Sequence, residues 1–338
     1  MRRNFHLNNV KVETTREYKY LGFLVTPSGE INSGLKDLKD RALRAFMKIR
    51  NKFGPFFRKC PLVSIKLFDT LVKPILLYGS DFWGILKLPQ NNPIENVYQS
   101  CLKQILGVRK QTTNVGVLLE LGQVPLSLYA IKNAIKNWAR IALQRKANDL
   151  VIKCYDNCIS QNHTWPSRVR TTLSEIGMFD TFLDRGTSGT IHLKAFQRLK
   201  DIFHQNTFAN ITSDSSKLRT YCLFKTSIGF EEYLSTIHNT DVRVSFTKFR
   251  LSNHSLMIEK GRHQKVDKDQ RFCPLCPGSV EDEIHFLLEC SCFEDHRTRF
   301  LEHVNSNTAH ALPREKKRAL CYSNVKSGDD KFNCPIYF

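Results

Sequence analysis

Apolar residues recur along this chain mostly at spacings of three and four, the period that an α-helix presents on one face. Leu35, Leu38, Ala42, Ala45, Phe46 and Ile49 set a helix over residues 35–59. A second starts at Pro61 and runs to about Tyr78, with Leu67, Leu71 and Ile75 on its apolar side. A third lies between Pro93 and Gly107, residues suited to the first helical position and to the left-handed close. Residues 115–121 read as a short fourth helix. Leu126 to about Asn157 reads as one long helix, with Ile131, Ala134, Ile135, Trp138, Ile141 and Ala142 inward and Trp138 as a core anchor. Residues 191–209 form another helix. The start of the chain departs from this period. Residues 18–26 are aromatic and β-branched and read as a strand, and Pro27-Ser28-Gly29-Glu30 is a turn signal. The pattern predicts a mainly α fold with an N-terminal β-hairpin.

Composition shifts divide the chain into five stretches. Residues 1–34 carry the hairpin, 35–157 a helical bundle, and 158–265 a basic helical connector with turn-rich joints. Residues 266–300 hold a small cysteine–histidine knuckle, and 301–338 are a polar, charged tail that reads as poorly ordered. The most apolar window, 71–88, is broken by Lys73, Pro74, Asp81 and Lys87, which excludes a membrane-spanning helix there.

Charge changes the picture from fold to partner. The chain holds 51 lysines and arginines against 32 acids, a net charge of +19. That excess points to a polyanion, with nucleic acid first and an anionic membrane surface second. The 35–59 helix concentrates the charge: Lys36, Lys39, Arg41, Arg44, Lys48, Arg50 and Lys52 occupy the faces away from its apolar stripe. They read as phosphate contacts or as a solvated face. Further on, Arg219, Tyr221, Phe224 and Lys225, then Arg243, Phe246, Lys248, Phe249 and Arg250, alternate cations with aromatics. Such alternation suits single-stranded nucleic acid, but the phenylalanines read as core and part of the Arg and Lys as ligand contacts.

Eleven cysteines with no apolar leader read as thiols that are free or on metal, in a nuclear or cytoplasmic protein that is neither secreted nor membrane-bound. Cys273 and Cys276 stand three apart, His285 follows nine later and Cys290 five after that. Soft thiolates with an imidazole, four in all, are the donor set of a structural zinc ion. A tight turn around Cys273 and Cys276 and a short acidic-started helix over 281–290 carry the four. His285 and Cys290 share a side if that helix ends or tightens by Cys290. Cys292, two residues on, is the other candidate for the fourth position. No paired carboxylates flanked by strand residues, no glycine-rich phosphate loop and no nucleophile elbow occur. The sequence offers binding and structure, with no catalytic centre.

Several pieces then fall in one order: Tyr18-Lys19-Tyr20-Leu21-Gly22, the run from Leu71 to Gly79 with Trp83-Gly84, the run from Leu121 to Leu126, and Cys273 to Cys276 with Glu281 to Cys290. That order resembles the C-terminal half of the reverse transcriptases of non-LTR (LINE-type) retrotransposons, RNA-directed DNA polymerases, over about residues 10–300. The resemblance implies that the Tyr-Leu-Gly stretch ends a polymerase palm, that 35–157 is thumb-like, and that the Cys3His knuckle binds element RNA and target DNA. It also places the last knuckle ligand five residues after the histidine, at Cys290. The family's catalytic acids are expected before Tyr18, where seventeen residues contain no Asp. The chain is therefore expected to be a truncated piece that binds RNA or DNA and does not polymerise alone, with no small-molecule substrate. A reading from another class is a zinc-stabilised protein-interaction module built on Leu287, Leu288 and nearby aromatics.

Overall fold

The computed structural model describes residues 5–8, 10–12, 15–86, 92–143, 150–184, 189–213, 216–276 and 278–307. These are mostly helical, with two small antiparallel hairpins at the start. The chain forms two compact units that interleave in sequence: Met1–Ile49, Phe68–Tyr98 and Leu126–Leu199 in the first, and Arg50–Leu67, Gln99–Pro125 and Lys200–Phe338 in the second.

In the first unit, Phe5–Leu7 pairs with Val10–Val12, and Tyr18–Tyr20 pairs with Phe23–Val25. The single strand expected over 18–26 is thus a hairpin in itself. Leu21 (φ 45°) and Gly22 (φ 86°) both adopt the left-handed conformation that a two-residue hairpin turn requires. A leucine tolerates that conformation poorly, so the turn carries no Asn-Gly type signal. The Asn32–Phe53 helix buries Leu35, Leu38, Ala42 and Phe46, the stripe its sequence predicts. Phe46 meets Phe68 edge-on at 6.1 Å, and Phe68 meets Tyr98 at 5.8 Å.

The second predicted helix is two, Pro61–Leu71 and Lys73–Leu76, since Pro74 has no amide to continue the ladder and restarts it. Its buried face is also different. Phe68, Val72 and Leu76 are inside, whereas Leu71 is 48% exposed. Both stripes are apolar and helically spaced, and the one bearing the larger aromatic surface is buried. Lys73 is drawn in with it, with its ammonium 3.8 Å from the Tyr129 ring centroid and 3.1 Å from Asp69. Gly79 (φ 69°) turns the chain into Ser80–Trp83, and the Trp83 indole donates to the Tyr78 carbonyl at 2.9 Å.

The long helix expected from 126 to 157 is not continuous. Leu126–Leu143 and Leu150–Ile159 are separate helices that pack on each other, and residues 144–149 lie outside the described ones. The Trp138 indole donates to the Tyr155 hydroxyl at 3.0 Å. Seventeen residues of one helix would hold those groups roughly 25 Å apart. Trp138 is fully buried and stacks on Phe182 of the Phe179–Leu183 helix at 5.5 Å. Ala134, Ile135 and Trp138 are buried as expected, and Ile131, Ile141 and Ala142 are half-buried.

In the second unit, Gly54 (φ 50°) ends the Asn32–Phe53 helix before a separate turn at Phe56–Lys59, so the helix expected over 35–59 is shorter. Pro93–Leu106 closes at Gly107 (φ 74°), as its bounding residues predict. Asn239 caps Thr240–Arg250, accepting from the Asp241 and Val242 amides. Arg250 is buried and donates to Glu120 (2.9 Å) and Glu231 (2.6 Å). Its guanidinium lies 4.2 Å from the Phe224 centroid and 4.9 Å from that of Tyr233, and the Tyr233 hydroxyl also donates to Glu120. Lys225 pairs with Glu231, and Arg243 donates to the carbonyls of Ile237 and Arg58. The alternating cations and aromatics of 219–250 therefore satisfy one another and buried acids. Lys225, Arg243 and Arg250, among the cations of which part were expected to contact a ligand, are thus buried and paired within this unit. The Glu294–Asn307 helix extends beyond residue 300, and the remaining tail, 308–338, lies outside the described residues.

Candidate metal centre

A short antiparallel bridge between Phe272 and Val280 folds 272–280 back on itself. The Cys273 amide donates to the Ser279 carbonyl at 2.8 Å, which fixes the loop that carries Cys273 and Cys276. The following turn bears His285 and ends at Cys290. Its amide donates to the His285 carbonyl at 2.8 Å, five residues back. His285–Glu289 is thus a π turn that ends at the extended Cys290, as expected of a helix ending by that residue, but it widens on the way rather than tightening. In an α-helix, residues five apart point about 140° away from each other. The wider turn brings both side chains to one side. The Asp282 carboxylate accepts from the His285 amide at 2.7 Å and starts that turn.

The donor atoms of Cys273, Cys276, His285 and Cys290 all lie within 4.8 Å of one another. Cys276 Sγ is 3.0 Å from His285 Nε2 and 3.5 Å from Cys290 Sγ. A tetrahedral ion with bonds of about 2.3 Å to sulfur holds its sulfurs about 3.8 Å apart, so the set fits a metal with little movement. Among the described residues this is the one group of three or more His, Cys, Asp or Glu side chains with that geometry. Cys292 is outside it: its sulfur is exposed and lies 3.6 Å from the Leu275 carbonyl. Loss of water, followed by hydrogen bonds with Cys290 and Cys273, pushes the metal-free Cys276 thiol up to about 12. Three sulfurs at such spacing cannot all ionise without a cation among them.

Two residues before His285, Glu283 ties the turn to its surroundings. Its carboxylate accepts from Arg219 (2.8 Å), His254 (2.9 Å) and Ser252 (3.2 Å). Burial opposes its charge, but the His254 hydrogen bond and the Arg219 charge hold its carboxyl below the usual range. Arg219 also reaches Glu259 at 3.0 Å. Apolar packing supports the other side, where Val280, Phe286 and Leu287 lie against Phe249, Leu256 and Ile258. Leu287 is therefore packed within this unit, and the exposed apolar residues of the knuckle are Phe272 and Leu275. The sequence reading found the four donors but missed Arg219, Glu259 and Glu283 as their framework. A buried acid two residues from a ligand was the available signal.

The basic helix is partly spoken for. Arg41 pairs with Asp37 at 2.9 Å and donates to the Gly22 carbonyl, while Arg50 donates to Gln104 at 2.7 Å. Lys39 lies 3.8 Å from Asp40. Lys36, Arg44, Lys48 and Lys52 are exposed. No described helix is long and apolar enough to cross a membrane. No known protein family, curated protein or solved structure matches this chain.

Proposed function

We propose that this chain is a nucleic-acid-binding segment, similar to the C-terminal part of a LINE-type reverse transcriptase, that holds a structural zinc ion and does not polymerise by itself. The observation that carries this reading is the exposed cation set Lys36, Arg44, Lys48 and Lys52 on the helix whose other face is buried, in a chain of net charge +19. Arg44, Lys48 and Lys52 fall within an arc of about 80°, a width that tracks a phosphate backbone. The Cys3His donor set suits zinc, and four protein donors leave no open position for hydrolysis. The four strands among the described residues carry no Asp or Glu on which a pair of catalytic metals could sit.

Binding of labelled RNA and DNA oligonucleotides, followed by fluorescence anisotropy, tests this. Four phosphate contacts correspond to an affinity loss on the order of a hundredfold between about 50 and 200 mM salt. Affinity unchanged across that range removes the reading. Exposed Phe272 and Leu275 on the knuckle favour the second reading, a zinc-stabilised protein-interaction module. A protein partner retained after nuclease treatment supports it.

A further inference from the structure

A cavity of about 400 Å³ lies in the second unit where the Asn32–Phe53 helix ends, lined by Arg50, Asn51, Gly54, Phe57, Arg58 and Gln104. No Asp or Glu is among these residues, and neither guanidinium meets a carboxylate among the described residues. The wall is fixed from behind. The Gln104 side-chain carbonyl accepts from the Arg50 guanidinium at 2.7 Å and holds it half-buried. The Phe56–Lys59 turn is tied by its backbone: the Phe57 carbonyl accepts from the Ser64 hydroxyl at 2.5 Å, and the Arg58 carbonyl accepts from Arg243. Phe57 is buried, so the exposed Arg58 stands on an anchored turn. At Gly54 no atom lies within 4 Å of where a Cβ would be, and the space beside it is open.

Two guanidiniums that line one cavity with no acid beside them make it electropositive, and both have donors to spare. Arg50 gives one nitrogen to a neutral amide, and the Arg58 guanidinium has no protein partner among the described residues. Planar forks of this kind take two oxygens of a phosphate at once. Ligand pockets begin at about 300 Å³, so the cavity has room for more than a bare ion. The amides of Asn51 and Gln104 offer donors and acceptors to a sugar or a base edge, and Phe57 adds an apolar wall. We propose that this cavity binds a nucleoside phosphate, with its phosphate on Arg50 and Arg58 and its sugar or base against Asn51, Gln104 and Phe57. The nucleoside part rests on the function proposed above, whereas the phosphate rests on the unpaired guanidiniums. The exposed row of Arg44, Lys48 and Lys52 would track a backbone by charge alone; the cavity would seat a single nucleotide. That nucleotide has two sources of the same chemistry, a free nucleotide or one residue of a strand.

The experiment titrates the full, metal-loaded chain with adenosine 5′-monophosphate, adenosine and inorganic phosphate by calorimetry. The monophosphate is expected to bind, more tightly than inorganic phosphate, and adenosine should not compete with it. R58A should weaken the nucleotide on the order of tenfold, the worth of a charge-assisted contact. R58K should lose nearly as much, because lysine keeps the charge but not the fork. K59A removes a neighbouring exposed cation outside the lining and should change nothing. All three variants should melt with the native chain, since neither side chain is buried. Nucleotide affinity equal in the native chain and R58A, or equal losses in R58A and K59A, would overturn the site. Inorganic phosphate bound as tightly as the nucleotide would overturn the nucleoside part. A labelled single-stranded oligonucleotide separates the sources: displacement of the monophosphate assigns the cavity to a strand. If the monophosphate binds through Arg58 while the oligonucleotide fails to displace it, or does not bind at all, the cavity stands with a free nucleotide as its ligand and the strand is overturned. An oligonucleotide bound by a chain with no affinity for the monophosphate overturns the cavity and leaves the nucleic-acid reading in place.

Discussion

Cys290 and Cys292 have the same chemistry and stand two residues apart, yet the backbone separates their fates. The π turn delivers the Cys290 sulfur to 3.5 Å from Cys276, while Cys292 lies beyond the turn with its sulfur on the Leu275 carbonyl. Cys290→Ser is therefore expected to remove stoichiometric zinc binding, measured by release into a chromogenic chelator, and Cys292→Ser to leave one equivalent in place. A full equivalent retained by Cys290→Ser would move the ligand to Cys292. The pH response has a fixed sign. The metal-free Cys276 thiol is held up at about 12, so its proton must leave when metal enters. Affinity should fall as pH is lowered, since protons then compete more strongly for the sulfurs.

Helices and turns show what was legible in the sequence and what was not. The Asn32–Phe53 stripe and the Pro93–Gly107 boundaries were readable because burial and end signals agree there. The face of Pro61–Leu71 was not, because two apolar stripes compete and only packing chooses between them. The division of the predicted 126–157 helix was hidden because both halves carry helical spacing. Cys273, Cys276 and His285 were legible from spacing, and the resemblance chose Cys290 over Cys292, but the widened turn that aligns His285 with Cys290 was not legible, since hydrogen-bond register leaves no mark in residue type. The cations of 219–250 misled for a related reason: their buried acid partners Glu120, Glu259 and Glu283 are remote in sequence. Close helix approach leaves a sharper signature at Gly84. A Cβ there would stand 2.2 Å from the Ala130 carbonyl oxygen, against backbone that cannot swing aside. Gly84→Ala is expected to cost about 1–3 kcal/mol, by forcing Ser80–Trp83 and Leu126–Leu143 apart. Urea denaturation measures this, and a change below ~0.5 kcal/mol would show that the helices give way freely.

At the scale of the whole molecule, the tryptophans and the metal donors are segregated between the units. The chain has three tryptophans, Trp83, Trp138 and Trp165, all within Phe68–Tyr98 and Leu126–Leu199 of the first unit. Cys273, Cys276, His285 and Cys290 all lie in the second. Indole fluorescence therefore reports the first unit. Thiols in both units, including the exposed Cys154 of the first, react with a thiol reagent, so the second unit is read from the knuckle cysteines specifically. Trp138 is held by Tyr155 and Phe182, whereas in the zinc reading proposed above an ion would gather the three crowded thiols of the knuckle turn. Stripping the metal with a strong chelator should therefore expose the three knuckle cysteines to a thiol reagent. Cys101, which burial pushes up to about 12, should stay unreactive. Tryptophan emission should remain at its native wavelength throughout. A red shift that develops in step with thiol exposure would mean that the ion supports the whole chain rather than its own unit.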